Sequence, residues 1–142
     1  MIAFDTNILV YAHRRESTFH ARARDCVREA SEGTESWAIP WPCLHEFLAI
    51  VTSPRIFKTP TPTPKAVDQI DAWLASPTLR LLAEEAGYLE ILRRLLAEGR
   101  VSGAKIHDAR VAALALFHDV SELLTADRDF SRFPSLTTRN PL

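Results

Sequence analysis

The chain has 142 residues, 46% of them hydrophobic and 25% charged, with a net charge of −1. That is enough chain for one domain (1–142) with its own core and no disulfide staple, and a pI near 6.5 is not that of a protein that coats nucleic acid, although an enzyme can arrange charge locally. The cysteines, Cys26 and Cys43, form no CxxC, which argues against a zinc site and for buried free thiols in a reducing compartment.

The elements read as follows in chain order. Ile2 to Phe4 is a short apolar run, a buried parallel strand ended by Asp5. Residues 7–15 read as helix, and a second helix runs from Thr18, a candidate N-cap, to Ser31, with Gly33 as its stop. Trp37-Ala38-Ile39 is a strand closed by Pro40, and Pro42 to Thr52 a helix with proline in its first turn. The run Thr59-Pro-Thr-Pro-Thr-Pro64 is neither regular helix nor central strand and predicts a stiff exposed loop leading into a helix over Lys65 to Ala75. Leu79 to Leu82 is a third strand, helices follow at 85–98 and 104–118, Glu122 to Thr125 is a fourth strand, and Leu136 to Thr138 a fifth candidate. Strands alternating with helices predict an α/β fold whose four to five strands form a mainly parallel sheet flanked by helices. The longest apolar stretch, Val111 to Phe117, is far below the roughly 18 residues of a membrane span. Asp5 breaks the opening apolar run and no basic segment precedes it, so no signal peptide is expected, and the expected location is cytoplasmic, with no membrane partner.

Open parallel sheets bind ligands beyond the carboxyl ends of their strands. Asp5 ends the first strand, Asp127 and Asp129 follow the fourth in LLTADRDF, Glu46 lies within LHEFLAI, and Asp108 lies near the start of IHDARVAALAL. Each has an ordinary reading alone. Asp5 can cap a helix, Asp108 can complement a helix N-terminus, Glu46 can face water or pair with arginine, and Asp127 and Asp129 can belong to a turn. Together they are harder to dismiss, because two carboxylates about 4 Å apart repel by roughly 4 kcal/mol at an effective dielectric of about 20. A hard divalent cation compensates such a cluster, and an open acidic site of this kind suits phosphodiester hydrolysis. Two basic groupings, Arg14, Arg15, Arg22, Arg24 and Arg28, and Arg93, Arg94, Arg100 and Lys105, read equally as solvated helix faces or as phosphate tracks. His45 and His107 adjoin acids, but neighbours on a helix point in different directions, so both are expected outside the site.

Four segments, IAFDTNILVYA, LHEFLAIV, IHDARVAALAL and LLTADRDF, occur in that order over nearly the whole chain. In this the sequence resembles PIN-domain ribonucleases, specifically the VapC toxins of VapBC toxin–antitoxin pairs. The resemblance implies a three-layer PIN-like fold and a Mg²⁺-dependent endoribonuclease, with Mn²⁺ as the alternative ion. It places the catalytic acids at Asp5, Glu46, Asp108 and Asp127, the metal ligands at Asp5, Asp108 and Asp127, and supporting groups at Asn7, Thr125 and Asp129. Metal-activated water would attack a phosphodiester of structured RNA (tRNA or rRNA), leaving 5′-phosphate and 3′-hydroxyl ends and inhibiting translation. It further implies a cognate VapB-like antitoxin and a homodimer, for which Trp41, Phe47, Phe57 and Trp73 are candidate surface residues and equally candidate core residues. The competing readings are a metal-dependent DNA or flap-type nuclease, separable by substrate, and a catalytically silent PIN-like adaptor, separable by turnover. A phosphotransfer receiver is disfavoured, since DTN offers one acid where such domains carry a pair.

Overall fold

The computed structural model describes residues 1–142. Its strands are β1 (Ile2–Phe4), β2 (Trp37–Pro40), β3 (Leu79–Leu82), β4 (Glu122–Leu124) and β5 (Thr138–Arg139). Its helices are α1 (Thr6–His13), α2 (His20–Glu32), α3 (Trp41–Val51), α4 (Thr63–Leu74), α5 (Tyr88–Glu98) and α6 (Ile106–Phe117). The sheet order is β3-β2-β1-β4-β5 and every pair is parallel. This is the three-layer α/β architecture expected from the sequence, with the sheet entirely rather than mainly parallel. None of the helices is long and apolar enough to cross a membrane.

Parallel pairing brings the carboxyl ends of consecutive strands to one edge. The register sets Phe4 opposite Leu124, and the Asp5 amide continues the ladder by donating to the Leu124 carbonyl at 3.0 Å. Asp5 and Thr125 are therefore fixed side by side by the backbone before any side-chain bond is considered. Central strands buried on both faces need apolar residues throughout, and Ala3, Phe4, Trp37, Ala38 and Ile39 are almost wholly excluded from solvent. Phe4 meets Trp37 edge-on, with centroids 5.7 Å apart, and the Trp37 indole N–H donates to Ser76 Oγ at 3.0 Å. α6 is buried along Val111 to Ala115, where small alanines allow close approach.

Several boundaries differ from the sequence reading. α1 ends at His13 rather than 15, because Arg14 leaves the helix to donate to Thr61 Oγ1 and the Thr59 carbonyl and to lie over the Phe57 ring. α2 starts at His20, and Thr18 is not its cap. The N-cap position is Phe19, whose side chain makes no capping bond and instead packs on Tyr11. α4 takes in Thr63 and Pro64, since a proline in the first turn forfeits no helical bond. α5 waits until Tyr88, after Gly87 at φ 93° turns the chain. β4 stops at Leu124, leaving Thr125 just beyond the strand, and β5 sits one to two residues later than expected. Cys43 is buried as a free thiol, but Cys26 is only half-buried. Of the four aromatics considered for an interface, Phe47 and Trp73 are core and pack together at 5.0 Å, Phe57 is partly buried, and Trp41 is exposed.

Phe47 lies between His13 and Trp73 with no exposed surface. Phe47→Ala is expected to lower unfolding free energy by about 3–5 kcal/mol through loss of buried area and the cavity left behind, measured by urea denaturation at fixed protein concentration.

Candidate active site

Asp5 is the side chain on which the site is built. It is buried, it follows β1, and its Oδ1 caps α1 by accepting from the Thr6 amide at 2.7 Å. Its Oδ2 accepts from Thr125 Oγ1 at 2.7 Å and from Asn7 Nδ2 at 2.9 Å. The Cys43 thiol, which burial holds protonated, lies 3.7 Å from Oδ1 as a further weak donor. The cap and the anchored carboxylate are thus the same group doing both jobs. Burial pushes the Asp5 pKa up to about 6, against the hydrogen bonds from Thr125 and the Thr6 amide, while the charge of Glu46 adds to the rise.

The rest of DTN also has work. The Thr6 hydroxyl donates to Glu46 Oε2 at 2.9 Å and so joins α1 to α3. Asn7 Oδ1 accepts from the Ala126 amide at 3.0 Å, and its Nδ2 also lies 3.2 Å from Thr125 Oγ1. Thr125 Oγ1 in turn accepts from the Asp127 amide, and Asp127 Oδ1 accepts from the Asp129 amide at 2.8 Å, opening the 3₁₀ turn Arg128–Arg132. A chain of hydrogen bonds therefore runs from the end of β1, through Asn7 and Thr125, into the loop that carries Asp127 and Asp129.

Asp5, Glu46, Asp108 and Asp127 line a single cleft of about 510 Å³, together with Pro42, His45, Lys105, His107, Arg110 and Val111. A larger basic hollow, about 720 Å³, lies over the Arg14 loop and contains none of these acids. Asp108 and Asp127 of the cleft form a close group with Asp129, each of the three offering an oxygen within 4.8 Å of the others. Asp5 and Glu46 share the cleft but lie outside that trio, and Asp129, expected as a supporting group, stands within reach of Asp108 and Asp127. Partial burial and the charge of Asp127 raise the Asp108 pKa, and Lys105, bonded to Asp129, holds that carboxyl below its ordinary value. Three hard oxygen donors this close, with charged forms disfavoured at Asp5 and Asp108, fit a divalent cation of the Mg²⁺ or Mn²⁺ type.

Five contributors were not assigned to the site from sequence. Thr6 was legible as the middle letter of DTN. Lys105 stands three residues before Asp108, the spacing that brings helical neighbours together. His45 and His107 do line the cleft, contrary to expectation. Adjacent side chains diverge on a helix, but a cleft between two helices is wide enough to receive both. Arg110 reaches the cleft while paired with Glu84, and no local pattern marks it.

A PIN domain family model matches residues 2–136. Ribonuclease VapC43 of Mycobacterium tuberculosis is 35% identical over 142 residues, covering all of this chain and 96% of the relative. Ribonuclease VapC48 of the same organism is 30% identical over 138 residues, covering 97% of this chain and 95% of the relative. Among solved structures, VapBC2 of Rickettsia felis bound to a promoter DNA fragment superposes with a TM-score of 0.72 at 21% identity, covering 99% of this chain and 98% of that one. VapC20 of M. tuberculosis, described as a sarcin-ricin loop cleaving toxin, gives 0.67 at 18% identity, covering 92% and 93%.

The Asp5 pKa carries a signed stability prediction. The folded value, about 6, lies above the ordinary 3.8, so the folded state favours the protonated form. That contribution is whole below pH 3.8 and is lost as pH rises through 6. In EDTA, wild type is expected to lose about 2 kcal/mol relative to Asp5→Asn between pH 4.5 and 7.5, read as the change in their stability difference by denaturant titration. A difference that is flat or grows with pH would contradict the burial assignment.

Proposed function

This chain belongs to the PIN-domain family of nucleases, and we propose that it is a divalent-metal-dependent endoribonuclease of the VapC type, the toxin of a toxin–antitoxin pair. The observation that carries the reading is the convergence of Asp5, Glu46, Asp108 and Asp127 on one cleft at the carboxyl edge of a parallel sheet. Its relatives at 30–35% identity over nearly their whole length are ribonucleases. Mg²⁺ is the proposed ion and Mn²⁺ its substitute.

Asp5, Asp108 and Asp127 would hold the ion from the walls of one cleft, with Asp129 in support beside Asp108 and Asp127. When bound, such a cation supplies Lewis acidity toward water and toward a phosphate oxygen. Asp5 is held in one rotamer by donors on both oxygens, which a group at the end of a rigid strand allows and a mobile loop does not. Glu46 has one oxygen committed to Thr6 and the other, Oε1, left to accept a proton from an attacking water. Asn7 positions Asp5 and the backbone at Ala126 and touches no substrate. Water as nucleophile makes the 2′-hydroxyl a bystander, and no histidine pair is required. The substrate class is structured RNA, tRNA or rRNA, whose cleavage stops translation. The proposed partners are a VapB-like antitoxin, whose basic side chain would neutralise the acidic cleft, and a second copy of this chain.

The test is incubation of antitoxin-free protein with total RNA in Mg²⁺, in EDTA, and as variants. Discrete fragments bearing 5′-phosphate and 3′-hydroxyl ends are expected, and none in EDTA. Asp108→Asn is expected to lower the rate at least as much as Asn7→Ala, for which loss of a positioning contact implies about 10–100-fold. Fragments ending in cyclic phosphate would contradict the mechanism. Cleavage of single-stranded or flap DNA but of no RNA would support the DNA-nuclease reading, and cleavage of neither, with Mg²⁺ or Mn²⁺, the adaptor reading.

A further inference from the structure

Lys105 closes the 3₁₀ turn Gly103–Lys105 that leads into α6. Its ammonium is bonded to Asp129 and stands 3.8 Å from Asp108 Oδ2. Two of the three carboxylates of the trio are therefore already partnered by a cation from within the chain. A dication placed among the trio competes with the ammonium for the charge of the same carboxylates, and an ammonium left on them would repel it. The lysine is half-exposed on a flexible stem and lines the cleft wall, so it has somewhere to go. Arg110, the other strongly basic group lining the cleft, is tied to Glu84 and is not free in the same way.

Resting on the ribonuclease reading above, we propose that Lys105 is an exchanging counter-charge. In the metal-free protein it neutralises Asp108 and Asp129. When a divalent cation takes those carboxylates, the ammonium is released to the cleft wall and contacts a phosphate of the RNA backbone next to the scissile one. A lysine suits this role because its charge sits at the end of a long rotatable stem that can swing from the carboxylates to the cleft wall. Lys105 would then be a substrate-binding residue that also tunes metal affinity, and the two roles pull in opposite directions.

That opposition makes the proposal testable. Mn²⁺ affinity is measured by calorimetry without RNA, for wild type, Lys105→Met and Lys105→Arg. Affinity for a fluorescein-labelled stem-loop RNA is measured by anisotropy over a salt series, with Ca²⁺ replacing Mg²⁺ because the larger ion holds its ligands less strictly and slows turnover. Lys105→Met is expected to bind Mn²⁺ about 5-fold more tightly or better. It is expected to bind the RNA more weakly, with the slope of log affinity on log salt reduced by about 0.7–1, the mark of one lost phosphate contact. Lys105→Arg, which keeps the charge, is expected to stay near wild type in both. Unchanged or weaker Mn²⁺ binding by Lys105→Met would overturn the proposal, as would an unchanged salt slope. So would Met and Arg variants that shift alike, since that is what a role in the turn alone would produce. RNA hydrolysis by wild type in Mn²⁺ is read in parallel. Its absence would remove the ribonuclease reading, while the Mn²⁺ comparison would still decide whether Lys105 competes with the cation.

Discussion

The hydrogen bond from Thr125 to Asp5, 2.7 Å long and buried, joins the ends of two adjacent parallel strands across the sheet. It exists because β1 and β4 are neighbours in register, and it decides where everything beyond them goes. Asp5 is then fixed, so α1 starts where its carboxylate caps it. Thr125 is fixed, so the loop carrying Asp127 and Asp129 leaves β4 in one direction. A buried, ionisable carboxylate is an expensive hub, since desolvation opposes its charge. The donors around it offset part of that penalty and aim the group at the cleft.

The acids beyond the hub are arranged by different means. Glu46 comes in on α3 and is linked to α1 through Thr6. Asp108 comes from the first turn of α6, where the helix N-terminus favours negative charge. Asp127 and Asp129 are shaped by a local turn in which the Asp127 amide donates to Thr125 Oγ1 and the Asp129 amide to Asp127 Oδ1. No one element assembles the cleft, and within its lining only Lys105 pairs with the acids, Arg110 being tied to Glu84. Such a site is strained electrostatically in the absence of a cation and relieved in its presence. That is a sound design for a catalyst whose reacting phosphate also needs positive charge.

How much of this could be read from sequence follows from how local each cause is. The strands were legible because buried runs such as IAF and WAI have no other reading between their turn signals. Asp5 was legible because the end of a strand in a parallel sheet is where ligands bind, whereas Asn7 and Thr125 were named only through the resemblance to PIN-domain ribonucleases. Boundaries failed where a distant partner intervened. α1 stops at His13 because Arg14 is drawn to Thr61 and Phe57, over forty residues away, and nothing near Arg14 announces that. Thr18 looked like a cap, but the packing of Phe19 on Tyr11 set the start of α2. His45 and His107 were excluded by helix geometry alone, which describes one helix and not the cleft between two. Asp129 was named as support, and the turn that carries it beside Asp108 is opened by its amide donating to the Asp127 side chain, a bond that the sequence does not announce.

The central claim is that these acids are gathered to hold a divalent cation. The most direct measurement is the thermal unfolding midpoint of the purified protein at pH 7.5 as Mg²⁺ or Mn²⁺ is titrated, with an Asp108→Asn/Asp127→Asn double variant alongside. A ligand bound only by the folded state stabilises by about 2.7 kcal/mol at 100 times its dissociation constant. For a domain of this size that is a rise of about 5–15 °C. A saturable rise of that order in wild type, absent from the double variant, is the expected result. No rise with either ion, or an equal rise in the double variant, would mean that the cluster is not a metal site.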